Sequence, residues 1–136
     1  MSAVLRAYGT AFDVDAFLAE CDLPVCKAYR KGEPRFSSQP NGRRNEQSGV
    51  HVVASEAGFD EFDLQVADAV EFLTEEFEQV RRLCEWPGVE SVSIDFGIRW
   101  RDVFAQSDVL PRELVRLADA LGLGIEVSHY PIEDSP

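Results

Sequence analysis

A chain of 136 residues with 45% apolar content holds enough material for one continuous core and too little for two. Charged residues make up 28%, which excludes general disorder, and the formal net charge of -12 disfavours phosphate backbones and favours basic partners. Charges interrupt every apolar run well short of a membrane span, and MSAVLRAYGT lacks a basic region followed by a long apolar one, so a cytoplasmic protein without membrane or nucleic-acid partners is expected.

Ala3 to Tyr8 alternates as a short strand, with Ala3, Leu5 and Ala7 on one side, and Gly9 and Thr10 end it. Asp13 then caps a helix whose Val14, Phe17, Leu18 and Cys21 share a face, with Phe12 and Phe17 at the positions of a hydrophobic staple. That helix stops before Pro24. Val25 to Arg30 reads as a second strand and Gly49 to Ser55 as a third, joined by a long connection in which Pro34, Pro40 and Gly42 oppose regular structure.

The strongest periodic signal is a helix from about Asp60 to Glu85, in which Phe62, Val66, Val70, Leu73, Phe77, Val80 and Cys84 form one apolar stripe. Trp86, Pro87 and Gly88 break it. A fourth strand follows, with Val92, Ile94, Phe96 and Ile98 turned one way and Ser91, Ser93 and Asp95 the other. RWRDVFAQSDVL reads as a loop with a little irregular structure. Pro111 suits the first turn of a helix whose inner face is Leu110, Leu114, Leu117, Ala118 and Leu121, with Gly122 as terminator. Ile125 to Tyr130 is a last strand, which leaves a single α+β domain over 1–131 and an acidic tail at 132–136.

The first six elements match the split βαβ plan. A ferredoxin-like antiparallel sheet is therefore expected, with helices on one face, the other face free, and a helix and strand added at the C-terminus. The free face then carries Arg6, Tyr8, Lys27, Tyr29, Ser93, Asp95, Glu126, Ser128 and Tyr130, a polar and aromatic surface suited to a small ligand, a peptide, a second copy making a homodimer, or water. SVSIDFGI lacks the stacking aromatics of an RNA-binding sheet.

Charge is unevenly spread. From Lys27 to Arg44 there are six cations against one acid, Glu33. As a ligand site, Arg30, Lys31, Arg35, Arg43 and Arg44 offer donors to a carboxylate or phosphate, with Tyr8, Tyr29 and Tyr130 of the free face beside them. The competing reading is a solvated connection whose cations pair with the acidic helix of the same molecule. No G-x-x-x-x-G-K-[ST] pattern occurs, so no phosphate cradle is named.

Asp68, Glu71, Glu75 and Glu78 form a row on the long helix, with Arg82 set to pair with Glu78. The row is either a solvated face or a docking surface for a cationic partner, and as an exposed stripe it makes a poor acid–base pair. In IRWRDVF, Trp100 between Arg99 and Arg101 is either an exposed interface anchor or a core tryptophan between surface ion pairs. His51 and His129 lack any metal-ligand spacing, and Cys21, Cys26 and Cys84 are read as inert buried thiols, so no metal, cofactor or catalytic residue is assigned.

FDVDAFLAECDLPVCKAYRKGEP, the long amphipathic helix and LPRELVRLADALGLGIEVSHYP together resemble a bacterial family known as domain of unknown function 4279. The resemblance lies in the Leu23–Pro24 step, the Arg30 to Gly32 triplet, the late L-P-x-E-L helix and the strand ending at Tyr130. It implies a small α+β cytoplasmic domain and no reaction. The expectation for function is a non-enzymatic binding or interaction protein, of the immunity-inhibitor or regulator type, that sets its acidic helix against a basic protein. The alternatives are a sensor or carrier of a small anionic ligand held by segment 27–44, and an enzyme of unknown type.

Overall fold

Ala3, Leu5 and Ala7 on one side and Val4, Arg6 and Tyr8 on the other make β1 (Ala3–Gly9) a strand with one buried and one half-buried face, and it occupies the centre of the sheet. A computed structural model describes residues 2–132; of the expected acidic tail, only Ile132 lies within them. α1 (Val14–Glu20) starts where Asp13 accepts the Ala16 N–H at 3.0 Å. The expected staple forms too, since the Phe12 and Phe17 rings stand 6.0 Å apart and Phe17 also meets Trp86 edge-on at 5.2 Å.

β2 (Val25–Tyr29) and β3 (Ser48–Ser55) form an antiparallel pair, followed by α2 (Phe62–Glu75), α3 (Phe77–Cys84), β4 (Ser91–Arg99), α4 (Arg112–Leu121) and β5 (Gly124–Tyr130). The strand order is β2-β3-β1-β4-β5, in which the first four strands are antiparallel neighbours with the connectivity of a ferredoxin-like sheet. β5 pairs with β4 in parallel, so the sheet is mixed rather than wholly antiparallel. The reason is the α4 crossover, which returns the chain to the end of the sheet where β4 began.

The single helix expected from Asp60 to Glu85 is divided at Glu76, whose φ of -102° and ψ of 22° bend the axis. Its hydrogen bonds persist across the bend, Glu76 N–H to Phe72 O and Val80 N–H to Glu76 O, both 2.9 Å. Both halves face the same core: Val80 and Leu83 are buried along with Phe62, Val66 and Leu73. Arg82 reaches across to Glu20 of α1 at 2.9 Å, while Arg81 takes Glu78 at 2.6 Å, in place of the expected Arg82–Glu78 pair.

The core lies between the sheet and the helices. Leu5 faces Val52 and Ile94 across the strands, and Phe96 meets Phe62 edge-on at 5.7 Å. Of the expected inner face of α4, Leu114, Ala118 and Leu121 are buried and Leu117 is half-buried, while Leu110 precedes the helix and is exposed. Pro111 is the N-cap residue, and Gly122 ends the helix in the left-handed region at φ 77°. Among the described residues no helix is long and apolar enough to cross a membrane.

Candidate functional site

The register carries Tyr8, Arg6, Lys27, Tyr29, Ser93, Asp95, Glu126, Ser128 and Tyr130 to the face away from the helices, as expected. Arg6 stands opposite both His51 and Ser93, Lys27 opposite His51, and Asp95 opposite Glu126. A bulge in β2 decides this phase at the edge of the sheet. Val25 pairs with Val52 and Lys27 with His51, so Cys26 is the extra residue and Lys27 and Tyr29 turn outward while Val25 and Ala28 turn inward. The same bulge exposes Cys26, which sequence reading had buried, whereas Cys21 and Cys84 are half-buried. Burial pushes the Cys84 thiol up to about 11 and the Cys21 thiol up as well.

At the centre of the open face Arg6 binds Asp95 at 3.0 Å, and the Ser128 hydroxyl donates to the same carboxylate at 2.7 Å. Asp95 is only 4% exposed. Tyr29 and Tyr8 flank Gly49 from β2 and β1, close enough that a side chain at Gly49 would strike the Tyr29 hydroxyl. Tyr130 does not join them. It lies on β5 at the opposite edge and at the other end of the strands, since Tyr8 pairs with Ser91 and Tyr130 with Arg99 of β4, and its ring stands 5.0 Å from Phe59.

The basic connection folds as an irregular arm. Pro34 and Arg44 form an isolated bridge, flanked by Gly32 N–H to Asn45 O and Asn45 N–H to Glu33 O, each 2.9 Å. The arm separates the cations that the sequence groups together. Arg30 turns back to Asp15 of α1 at 2.7 Å, Arg43 leans towards Glu46 at 3.9 Å, Arg44 donates to the Gly32 carbonyl at 2.9 Å, and the Lys31 side chain is exposed. Intramolecular pairing of the arm is thus with α1 and with itself, and not with the acidic helix.

Arg35 alone of the five enters a cleft of about 320 Å³ between the arm and the open face, lined also by Lys27, Tyr29, Phe36, Asn45, Glu46, Gln47 and His51. Among the described residues neither Lys27 nor Arg35 takes part in an ion pair; Lys27 lies 5.9 Å from the Tyr29 ring centre. His51 stacks edge-on against Tyr29 at 6.0 Å. Burial first, and then the charges of Arg6 and Lys27, lower its pKa to about 4 against a partial counter-effect of Asp95. At neutral pH the cleft therefore presents two cations outside any ion pair, the Glu46 carboxylate, which leans towards Arg43, a neutral imidazole, a phenol and two side-chain amides.

This depression of His51 has a thermodynamic consequence. Between the ordinary 6.5 and about 4 the unfolded chain binds a proton that the folded chain refuses, so stability is full above 6.5 and falls as pH drops through that window. The expected loss is on the order of 2 kcal/mol after allowance for solvent screening. Urea unfolding at pH 7.5 and 4.5 checks it, with His51→Gln losing less stability over that step than the parent chain by about that amount.

The other residues singled out in the sequence are dispersed. Asp68 accepts the Ser55 hydroxyl at 2.7 Å and Glu78 is paired with Arg81, which leaves Glu71 and Glu75 as the members of the row with neither a side-chain hydrogen bond nor an ion pair among the described residues. Trp100 is 51% exposed and lies against His129, with ring centres 4.9 Å apart. Arg99 binds Asp60 at 3.0 Å and Arg101 binds Asp108 at 3.1 Å, which folds the loop after β4 back on itself.

Sequence reading missed His51, Phe36, Asn45 and Gln47 as partners of Lys27 and Arg35. The signal for His51 was present: in GVHVVAS it alternates against Val50 and Val52, and a strand between β1 and β2 must show it on the open face. No family model matches the chain, and no curated protein or solved structure matches it.

Proposed function

We propose that this protein binds a small anion, a carboxylate or phosphate compound, in the cleft between the arm and the open sheet face. The observation that carries the reading is that Lys27 and Arg35 enter one cleft, beside neutral His51, with no ion pair among the described residues. In a chain of net charge -12, two exposed cations gathered in one concave site without an acidic partner form a local field opposite to that of the rest of the molecule, and that field favours an anion. Arg35 supplies a planar fork for two oxygens, Lys27 a point charge and the Tyr29 hydroxyl a neutral donor, while the Asn45 and Gln47 amides, which already donate to the Arg30 carbonyl and to Glu90, each keep one further N–H. Glu46 on the same rim favours a ligand that also carries a hydroxyl or amine.

The acidic helix is a weaker basis for function by itself, because two members of its row are engaged inside the molecule. Kinship with domain of unknown function 4279 belongs to the same proposal, supported by the Leu23–Pro24 step and the Arg30 to Gly32 triplet, and it assigns no reaction.

A thermal-shift panel of inorganic phosphate, citrate, sugar phosphates and nucleotides tests the reading. A ligand present at a hundred times its Kd raises the melting temperature by about 5–10 °C. The Lys27→Ser/Arg35→Ser variant is expected to lose that shift, and Lys31→Ser, outside the cleft, to keep it. No shift with any anion in the panel overturns the proposal.

A further inference from the structure

We infer that the groove between α2 and the segment leading into α4 is a docking site for a basic amphipathic helix of another protein. The groove holds about 450 Å³ and is lined by Asp63, Val66, Ala67, Val70, Val109, Pro111 and Glu113. The α2 members fall at i, i+3, i+4 and i+7, so they make a straight wall two turns long, about 10 Å. Its floor is apolar, Val109 on its rim is 77% exposed, and Leu64, i-3 from Ala67 on α2, is 47% exposed. That surface stays in water in the isolated chain although the core has already buried its own stripe of α2.

Charge selects the occupant. Asp63 and Glu113 stand on the two walls, and Glu71 and Glu75 follow Ala67 along the exposed side of α2, while Arg112 and Arg116 of α4 do not line the groove. A helix with apolar anchors at i, i+3 and i+4 and lysines or arginines flanking them matches an apolar floor between acidic walls. A second copy of this chain would bring another net charge of -12 against the same acids, and complementary charge also speeds encounter with a cationic partner. The site is separate from the anion cleft, which lies on the opposite face of the sheet.

The test uses a fluorescent fourteen-residue lysine–leucine peptide patterned as an amphipathic helix, a scrambled peptide of the same composition, and a glutamate–leucine peptide of the same pattern. Fluorescence anisotropy in 150 mM salt limits pure surface electrostatics. The patterned basic peptide is expected to bind, with Ala67→Lys weakening it at least about tenfold and Asp63→Asn/Glu113→Gln weakening it severalfold. Ala67 is exposed, so its substitution leaves the core intact, and unchanged circular dichroism and melting temperature verify that. The Lys27→Ser/Arg35→Ser variant is expected to bind the peptide as the parent does. Absence of binding, equal binding of the scrambled peptide, insensitivity to Ala67→Lys, or sedimentation showing that two copies occupy the groove overturns the inference.

Discussion

Replacement of Gly88 by alanine is expected to cost about 3 kcal/mol of unfolding free energy, enough to shift a urea midpoint far outside error. Gly88 has φ 88°, and a Cβ there would fall inside the envelope of the Ala11 carbonyl oxygen. The strand end at Gly9 is equally tight from the other side, since a Cβ at Gly9 would strike the Gly88 carbonyl. Two backbones thus touch where the turn after β1 crosses the turn before β4, and Glu90 ties them by accepting the Thr10 N–H at 3.2 Å and hydroxyl at 3.1 Å. Gly122 is the internal control. Its φ of 77° is similar and nothing lies within 4 Å of a Cβ, so Gly122→Ala should cost only the left-handed penalty, about 1–2 kcal/mol. Equal losses at the two positions would show that the crossing contributes nothing beyond backbone strain.

Removing one member of the ion pair at the centre of the open face is the second large effect. Arg6→Met is expected to destabilise the fold by about 3 kcal/mol, because it leaves the Asp95 carboxylate buried with Ser128 as its remaining hydrogen-bond partner. Removing both charges, Arg6→Met with Asp95→Leu, should recover most of that loss, since no unpaired charge is then left in a poor solvent. Denaturant titration of the two single variants and the double variant gives the cycle. If the double variant loses the sum of the single losses, the pair is not acting as a unit. The pair also bears on function, since Arg6 lowers and Asp95 raises the pKa of neighbouring His51.

Most of the fold was legible in the chain because it depends on local period and capping. The alternation in β1, the Asp13 cap with its Phe12–Phe17 staple and the Gly122 terminator each reside within a few residues, and each forms where the pattern places it. The split βαβ order followed from the succession of elements. The bend at Glu76 was not legible, since the apolar stripe runs unbroken through it and only the shape of the core asks the helix to turn. The parallel seat of β5 follows from the α4 crossover, which a list of elements leaves unspecified.

The candidate site was legible only in part. Composition located a cationic segment, and tertiary contacts then sorted its members: Asp15 claims Arg30, backbone carbonyls claim Arg44, and Arg35 is left for the cleft with Lys27 and His51. Sequence by itself determined the elements, the single core and the segregation of charge, because those are set by neighbours along the chain. Which charges remain uncompensated was decided by tertiary structure alone, because ion pairing depends on distances of a few ångströms between residues far apart in sequence.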